Sequence, residues 1–233
     1  MAVTALRLYA DSADLDAVER LLSDGLVRGV TTNPTILARC GWSASDRPEL
    51  AARWLDAGAE EVFFQAVGDS VQEMLADADR IRDLGAVVKV PAVRTGWTVA
   101  RRLADDGWPT LVTAVYTVAQ AACAGSVGAA YIAPYLGRLG DRGVDGHELI
   151  AQMAAALAGT PTRPLVASVR TSADVARLVL TGVRHVTAAP QVIGACFLDE
   201  DSEGDARVFA ADAGRAPRPV GDANGQIRTS PQR

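Results

Sequence analysis

The sequence of 233 residues predicts an α/β protein built as a single (β/α)8 TIM barrel. Short apolar segments of about four to six residues alternate with amphipathic segments of about ten to fifteen, which is typical of βα units around a parallel sheet. Eight apolar segments are present, and eight is the number of parallel strands that closes this barrel. The length suits one such domain and is too short for two.

The eight predicted strands recur at an average spacing of about 25 residues. In chain order they are LRLYA (6–10), VRGV (27–30), EVFFQA (61–66), AVVKVP (86–91), TLVTAV (110–115), AAYIAP (129–134), PLVASV (164–169) and HVTAA (185–189).

The segments between the strands are predicted to form helices on the outside of the barrel. In ADLDAVERLLSD, one helical face carries Leu15, Val18, Leu21 and Leu22, and DSVQEMLADADRIRDLG has a similar apolar face. Seven glycines follow helical segments and are predicted to end them in the left-handed conformation. These are Gly25, Gly58, Gly85, Gly107, Gly125, Gly159 and Gly182.

The last residues depart from this pattern. We predict one barrel domain over residues 1–214 and a mobile polar tail over 215–233, because RAPRPVGDANGQIRTSPQR offers little apolar surface to bury. The alternative is that the tail docks on a neighbouring subunit.

Charge and hydropathy exclude several partner classes. A formal net charge of −5 argues against nucleic acid or anionic membranes, both of which attract a concentrated excess of cations. No apolar run approaches the roughly 18 residues that a membrane span needs, and the first residues lack the order of a signal peptide. We therefore expect a cytoplasmic protein.

Neither the cysteines nor the histidines suggest a metal site. Cys40, Cys123 and Cys196 have no CxxC spacing, and we interpret them as core or near-core residues. His147 and His185 have no second ligand at helical or hairpin spacing, so metal-dependent chemistry is disfavoured. We predict no metal and no cofactor.

Lys89 is the single lysine of the chain, whose other 22 basic residues are arginines. It lies within GAVVKVPAV, with apolar residues on both sides, whereas a solvated lysine is expected on a polar face. The alternative is a lysine that reaches water from a strand end.

Polar side chains lie at the ends of the first seven predicted strands, where the active sites of such barrels form. They are Asp11, Thr31, Thr32, Asn33, Gln65, Lys89, Thr113, Tyr135, Arg138, Ser168 and Arg170. Because these strand ends surround one mouth, the side chains are expected to form one site.

A neutral lysine amine at this mouth can attack a ketone and form an iminium, an electron sink that permits cleavage or formation of a carbon–carbon bond. Burial among apolar neighbours lowers the pKa of Lys89 from its ordinary value of about 10.4. Arginine cannot do this chemistry, because its guanidinium stays protonated.

The other polar residues have separable predicted roles. Asp11 and Asn33 can hold hydroxyls of a keto-sugar, while Gln65, Thr113 and Tyr135 could position a water for proton transfers. Arg138, Ser168 and Arg170 form a corner suited to a phosphate monoester. The alternatives are a helix cap for Asp11 and solvated surface charges for the arginines.

The motifs YADSAD, GVTTNPTIL, VVKVPAV, TAVYTVAQA, APYLGR and ASVRT resemble the transaldolase superfamily, most closely the short-chain branch that includes fructose-6-phosphate aldolase. The resemblance covers about residues 7 to 214. It implies a TIM-like barrel, Lys89 as the Schiff-base lysine, a transferred dihydroxyacetone unit, and phosphate held by Arg138, Ser168 and Arg170. It also implies a homo-oligomer, a pentamer or decamer.

Two positions bear on the subtype that the resemblance implies. Transaldolases usually carry a glutamate on the third strand where this chain has Gln65, and some have phenylalanine in place of Tyr135. Both features favour the aldolase, in which tyrosine rather than a carboxylate moves protons. Two alternatives stay open: a true transaldolase with a specialised sugar-phosphate acceptor, and a non-catalytic barrel that binds sugar phosphates.

Overall fold

In the computed structural model, which describes residues 5–214, eight parallel strands close into a barrel. They are β1 (Arg7–Asp11), β2 (Gly29–Thr31), β3 (Glu61–Gln65), β4 (Val87–Pro91), β5 (Thr110–Val115), β6 (Tyr131–Pro134), β7 (Arg163–Val169) and β8 (His185–Ala188). Each strand pairs with its sequence neighbours, and β8 pairs with β1. The predicted (β/α)8 barrel is therefore confirmed, and the strand ends differ from the prediction by at most two residues.

The helices follow the strands in the expected alternation. They are α1 (Leu15–Ser23), α2 (Pro34–Arg39), α3 (Arg47–Asp56), α4 (Val71–Arg82), α5 (Arg94–Asp105), α6 (Val118–Val127), α7 (Leu136–Asp141), α8 (Gly146–Ala156), α9 (Ser172–Leu180), α10 (Pro190–Gly194) and α11 (Glu200–Ala213). A short 3₁₀ turn at Ala44–Asp46 precedes α3. None of the helices within residues 5–214 is long and apolar enough to cross a membrane.

The chain forms two compact units. The first ends at Phe197 and contains all eight strands with α1 to α10, and the second begins at Leu198 and contains α11. The predicted tail at 215–233 lies outside the described residues, and the predicted domain limit at residue 214 stays a prediction.

Alternating side chains of the strands build two cores, one on each face of the sheet. Inside the barrel lie Tyr9, Phe63 and Val87 with other interior residues. The core between the strands and the outer helices is larger and includes Val88 and Val90. Because Val87 faces inward and its neighbour Val88 faces outward, the next residue of β4, Lys89, faces into the barrel.

A polar network around Glu61, the first residue of β3, lies at the N-terminal end of the barrel. Tyr9 and Tyr131 donate their hydroxyls to the two carboxylate oxygens of Glu61 at 2.6 and 2.7 Å. Arg7 donates to the same carboxylate at 3.2 Å. His185 packs against both tyrosine rings, and burial is the largest cause that lowers its pKa to about 4. His185 is thus a neutral packing residue near pH 7.

Six of the seven glycines predicted to end helices have positive φ, but Gly125 does not. Gly125 lies inside α6, and the left-handed residue after that helix is Gly128, with φ of 82°. A Cβ on Gly125 would lie 3.2 Å from the side chain of Leu157, so this glycine serves close packing instead. The interpretation of the cysteines was also partly wrong, because Cys40 and Cys123 are exposed.

Candidate active site

The amine of Lys89 lies inside the barrel near the C-terminal ends of the strands. The residue is 5% exposed, and its Nζ donates a hydrogen bond to the backbone oxygen of Thr32 at 2.5 Å. Burial lowers the pKa of Lys89 below its ordinary value, and the negative charge of Asp11 opposes this only in part. A lowered pKa leaves more of the amine neutral near pH 7, the form that attacks carbonyl groups.

Asp11 ends β1 close enough to Lys89 to influence its charge. Thr31 donates a hydrogen bond to the Oδ1 of Asp11 at 2.7 Å, and the Thr31 hydroxyl also lies 2.6 Å from that of Thr187. These contacts orient the carboxylate. The alternative role of Asp11 as a helix cap is not observed, because Asp14 caps α1 by accepting a hydrogen bond from the backbone of residue 17.

Tyr135 follows β6 and directs its hydroxyl toward Thr113, with 2.7 Å between the two oxygens. The Arg138 guanidinium lies over its ring, 4.5 Å from the centroid, and the ring of Tyr116 meets it edge-on. Burial raises the pKa of the Tyr135 hydroxyl, while the hydrogen bond with Thr113 and the charge of Arg138 act in the opposite direction. Near pH 7 Tyr135 is therefore a neutral phenol that can donate a proton.

A cavity of about 300 Å³ opens at this end of the barrel. Seven of the predicted site residues line it, namely Asp11, Asn33, Lys89, Tyr135, Arg138, Ser168 and Arg170. Thr31, Gln65 and Thr113 do not form its wall. Thr31 and Thr113 instead contact the lining residues Asp11 and Tyr135, and Gln65 pairs in register with Lys89 on the adjacent strand.

Asn33 has a second function that limits how it can contact a ligand. Its Oδ1 accepts a hydrogen bond from the backbone N–H of Ile36 at 3.0 Å and thereby caps α2. Pro34 follows at the first position of that helix, where the missing N–H costs nothing. The Nδ2 hydrogens of Asn33 are consequently its free donors toward the cavity.

Backbone strain is concentrated at two strand ends near the site. Ala114 and Ser168 have φ of 60° and 57°, and they are the non-glycine residues with positive φ within residues 5–214. Each lies where the strand pairing shifts register, in β5 and in β7. Such conformations cost about 1–3 kcal/mol and tend to occur at functional sites. The shift in β7 leaves Ser168 lining the cavity.

Arg170 is held in place by an ion pair with Asp141. Its two terminal nitrogens donate to the two carboxylate oxygens of Asp141 at 2.7 and 2.6 Å. This pairing lowers the pKa of Asp141. Gly137 permits the arrangement, because a Cβ at this position would come within 2.6 Å of the Arg170 Nε and 2.7 Å of the Ser168 oxygen.

The sequence reasoning missed Thr35, Ile36 and Arg39 of α2, which also line the cavity. The predicted site is based on strand ends, whereas these side chains belong to the helix that follows β2. The signal was their position within one or two turns of Asn33. Asp141, the partner of Arg170, was missed as well, because it lies 29 residues away in the chain.

Within the described part of the chain, no group of three or more His, Cys, Asp or Glu side chains lies close enough together to hold a metal ion. The imidazole Nε2 of His147 lies 3.2 Å from the carboxylate of Asp174.

Comparison with known proteins agrees with the resemblance seen in the sequence. A family model described as "Transaldolase/Fructose-6-phosphate aldolase" matches residues 8–216. A "Probable transaldolase" of Phenylobacterium zucineum is 34% identical over 211 residues, which cover 89% of this chain and 96% of that protein. A "Probable transaldolase 2" of Bacillus cereus is 31% identical, over 91% of this chain and all of that protein.

A structural comparison shows the same barrel in a more distant protein. The crystal structure of a mandelate oxidase with (S)-2-phenylpropionate superposes with a TM-score of 0.57 at 18% identity. The match covers 79% of this chain and 65% of the oxidase chain. At this identity the likeness shows the fold alone.

Proposed function

Because the chain belongs to the transaldolase/fructose-6-phosphate aldolase family, we propose that it cleaves or transfers a dihydroxyacetone unit of a ketose phosphate through a Schiff base on Lys89. The substrate class is that of fructose 6-phosphate, and the second substrate is an aldehyde. We propose that the reaction needs no cofactor. The cytoplasmic location and the pentamer or decamer stay predictions.

The observation that carries the proposal is the buried amine on the wall of a polar cavity. Burial lowers the pKa of Lys89, and the charge of Asp11 opposes this only in part. The hydrogen bond of its Nζ goes to a backbone oxygen, which is neutral. A neutral amine can add to a carbonyl, whereas an ammonium cannot. The cavity brings this amine, a phenol and three guanidinium groups around one small volume.

The proposed reaction begins when the neutral Nζ adds to the C2 carbonyl of the ketose, and loss of water gives a positively charged imine. The C4 hydroxyl then gives up its proton, the C3–C4 bond breaks, and its electron pair moves toward the imine. An aldehyde leaves and an enamine stays bound to Lys89. In lysis, C3 takes up a proton and water hydrolyses the imine, which releases dihydroxyacetone and the free amine.

In transfer, the enamine carbon instead attacks an acceptor aldehyde and forms a new C3–C4 bond. The new alkoxide takes up a proton, and hydrolysis of the imine releases the longer ketose. Both outcomes share every step up to the enamine. They differ only in whether a proton or an aldehyde reaches C3 first.

We assign proton transfer to Tyr135, through its hydroxyl or through a water beside it. The positive charge of an imine on Lys89 would favour the phenolate and so counteract the raised pKa of Tyr135. Gln65 has an amide that cannot exchange protons in this way, and its place beside Lys89 suits hydrogen bonding to water. Thr113 orients the Tyr135 hydroxyl.

The remaining residues are proposed to bind the sugar. Asp11 accepts hydrogen bonds from hydroxyl groups, and Asn33 donates through Nδ2. Arg138, Ser168 and Arg170 are proposed to bind the phosphate, since guanidinium groups and hydroxyls match its oxygens.

Two observations help to decide whether the enzyme catalyses mainly lysis or mainly transfer. Gln65 and Tyr135 support the aldolase reaction, for the reason that an amide cannot act as the general acid or base. The names of the relatives, "Probable transaldolase" and "Probable transaldolase 2", support transfer. We propose that lysis is slightly favoured. Supplying fructose 6-phosphate with erythrose 4-phosphate separates them, because transfer yields sedoheptulose 7-phosphate and lysis yields free dihydroxyacetone.

Borohydride reduction in the presence of fructose 6-phosphate tests the covalent step. Because Lys89 is the single lysine of the chain, an adduct on a lysine can be at one position only. We expect a reduced three-carbon or hexose adduct on Lys89, and none in the variant Lys89→Met. The same variant is expected to lose activity by more than about a thousandfold. A wild-type protein that turns over substrate without any adduct would refute the Schiff base.

A further inference from the structure

Three arginines line the active-site cavity, and their surroundings differ. Arg170 is neutralised by its ion pair with Asp141, and Arg138 is stacked on the ring of Tyr135. Arg39, the last residue of α2, makes no hydrogen bond, ion pair or ring contact through its side chain with any of residues 5–214. Its guanidinium has no structural partner in that part of the chain, and the residue lines the cavity.

Charge balance indicates what this group does. A phosphate monoester carries about 1.5 to 2 negative charges near pH 7. The corner of Arg138, Ser168 and Arg170 supplies about one net positive charge, because the negative charge of Asp141 offsets the positive charge of Arg170. A second uncompensated cation on the wall would bring the positive charge close to the charge of the phosphate, and Arg39 lines the cavity without a partner of its own among residues 5–214.

We propose that Arg39 is a specificity-determining residue that binds the phosphate of the substrate from the side of α2. The phosphate is then held between α2 on one side and α7 with the end of β7 on the other. Phosphorylated sugars and aldehydes are selected over unphosphorylated ones because only they use this contact. The inference rests on the proposed function for the identity of the substrate, but its binding step is independent of the chemistry.

A competing explanation is that Arg39 balances nearby carboxylates. It also lines a neighbouring depression that includes Asp14 and Asp16, although neither forms an ion pair with it. In that case its loss would lower stability and leave phosphate binding intact. The two explanations therefore predict opposite results for a single substitution.

The test measures binding of sorbitol 6-phosphate, which has no carbonyl and cannot form an imine. In Arg39→Gln we expect the dissociation constant to rise about tenfold or more, the usual scale for a charge-assisted contact. Arg39→Lys retains the positive charge but not the planar guanidinium. Its dissociation constant should lie between those of Arg39→Gln and wild type. Arg94→Gln is the matched control, since Arg94 is exposed at the start of α5 and does not line the cavity.

The control separates a local contact from a general loss of positive charge. We expect Arg94→Gln to change the dissociation constant by less than about twofold, because an exposed charge away from the ligand is screened. Equal weakening in both variants, unchanged binding in Arg39→Gln, or a large fall in its melting temperature would each overturn the proposal. So would the absence of sorbitol 6-phosphate binding by wild type.

A kinetic ratio extends the test to turnover. We expect the preference for glyceraldehyde 3-phosphate over glyceraldehyde, measured as the ratio of kcat/KM values, to fall about tenfold in Arg39→Gln and to hold in Arg94→Gln. Failure of the Schiff base would appear as the absence of a Lys89 adduct in wild type. Failure of the present inference would appear as an unchanged ratio and unchanged binding in a protein that does form the adduct.

Discussion

The two ends of the barrel bury ionisable side chains in different ways. At the N-terminal end, the Glu61 carboxylate accepts hydrogen bonds from Tyr9, Tyr131 and Arg7. At the C-terminal end, the Lys89 amine donates to one backbone oxygen and otherwise faces the site. The first arrangement satisfies its members mutually, and the second leaves capacity for a ligand.

The difference also appears in how the groups titrate. Burial and the hydrogen bond to Glu61 raise the pKa of Tyr131 to about 12, and burial holds the pKa of His185 near 4. Neither group changes charge near neutral pH. The pKa of Lys89 is lowered from its ordinary value toward pH 7 instead of being moved away from it. A network whose groups bond to one another favours stability, whereas an amine with a lowered pKa on the wall of a cavity favours reactivity.

The largest change in stability is expected from disrupting the Glu61 network at the N-terminal end of the barrel. Glu61→Ala removes the acceptor of two largely buried tyrosine hydroxyls and one partner of Arg7, so we expect the free energy of unfolding to fall by about 3 kcal/mol. Urea denaturation at pH 7 measures this change. The kcat of the folded enzyme should stay unchanged, because Glu61 lies at the opposite end from the cavity.

Glu60→Ala is the matched control for this change. Glu60 pairs with Arg7 and Arg28, but its side chain is 45% exposed, and such ion pairs contribute less than about 1 kcal/mol. If both alanine variants lost the same stability, the N-terminal network would be an ordinary set of surface charges and the contrast between the two ends would fail.

Much of the fold and part of the site could be predicted because they depend on local patterns. Strand ends follow from apolar runs, and the parallel barrel brings strand ends together whatever their separation in sequence. Asp11, Lys89 and Tyr135 were predicted in this way, and the structure places all three on one cavity.

The features that could not be predicted depend on contacts between residues far apart in the sequence or on local details of strand pairing. Glu61 meets Tyr131 across 70 residues, and Asp141 meets Arg170 across 29. Neither sequence segment signals the other. The left-handed conformation of Ser168 was equally hidden, because serine has no preference for it and the register shift of β7 imposes it.

A second and smaller change in stability is expected from removing the Lys89 amine at the C-terminal end of the barrel. Lys89→Met replaces a buried polar group with an apolar one of similar length, so we expect the free energy of unfolding at pH 7 to rise by about 1–2 kcal/mol. The sign is opposite to that for Glu61→Ala. It identifies Lys89 as a group kept for function at a cost in stability.

The difference in stability between wild type and Lys89→Met is expected to depend on pH. The pKa of Lys89 is lowered on folding, so the unfolded chain binds more protons than the folded one between the two pKa values. The stability of wild type therefore rises with pH in that window, relative to Lys89→Met. We expect the advantage of the variant to shrink as the pH approaches the ordinary lysine value. A constant difference across the range from about pH 7 to about pH 10 would show that the amine is not perturbed.

The smallest effect is expected from removing the hydroxyl that orients Tyr135, the proposed proton donor. Thr113→Val keeps the shape of the side chain but removes the hydroxyl that bonds to Tyr135, and this bond lowers the Tyr135 pKa. The pKa should therefore rise, and we expect kcat/KM to fall about threefold to tenfold, with the alkaline limb of the pH profile moved to higher pH. Thr113→Ser retains the hydroxyl and should restore the profile. A fall in activity without movement of that limb would assign Thr113 to packing and leave Tyr135 oriented by its contacts with Arg138 and Tyr116.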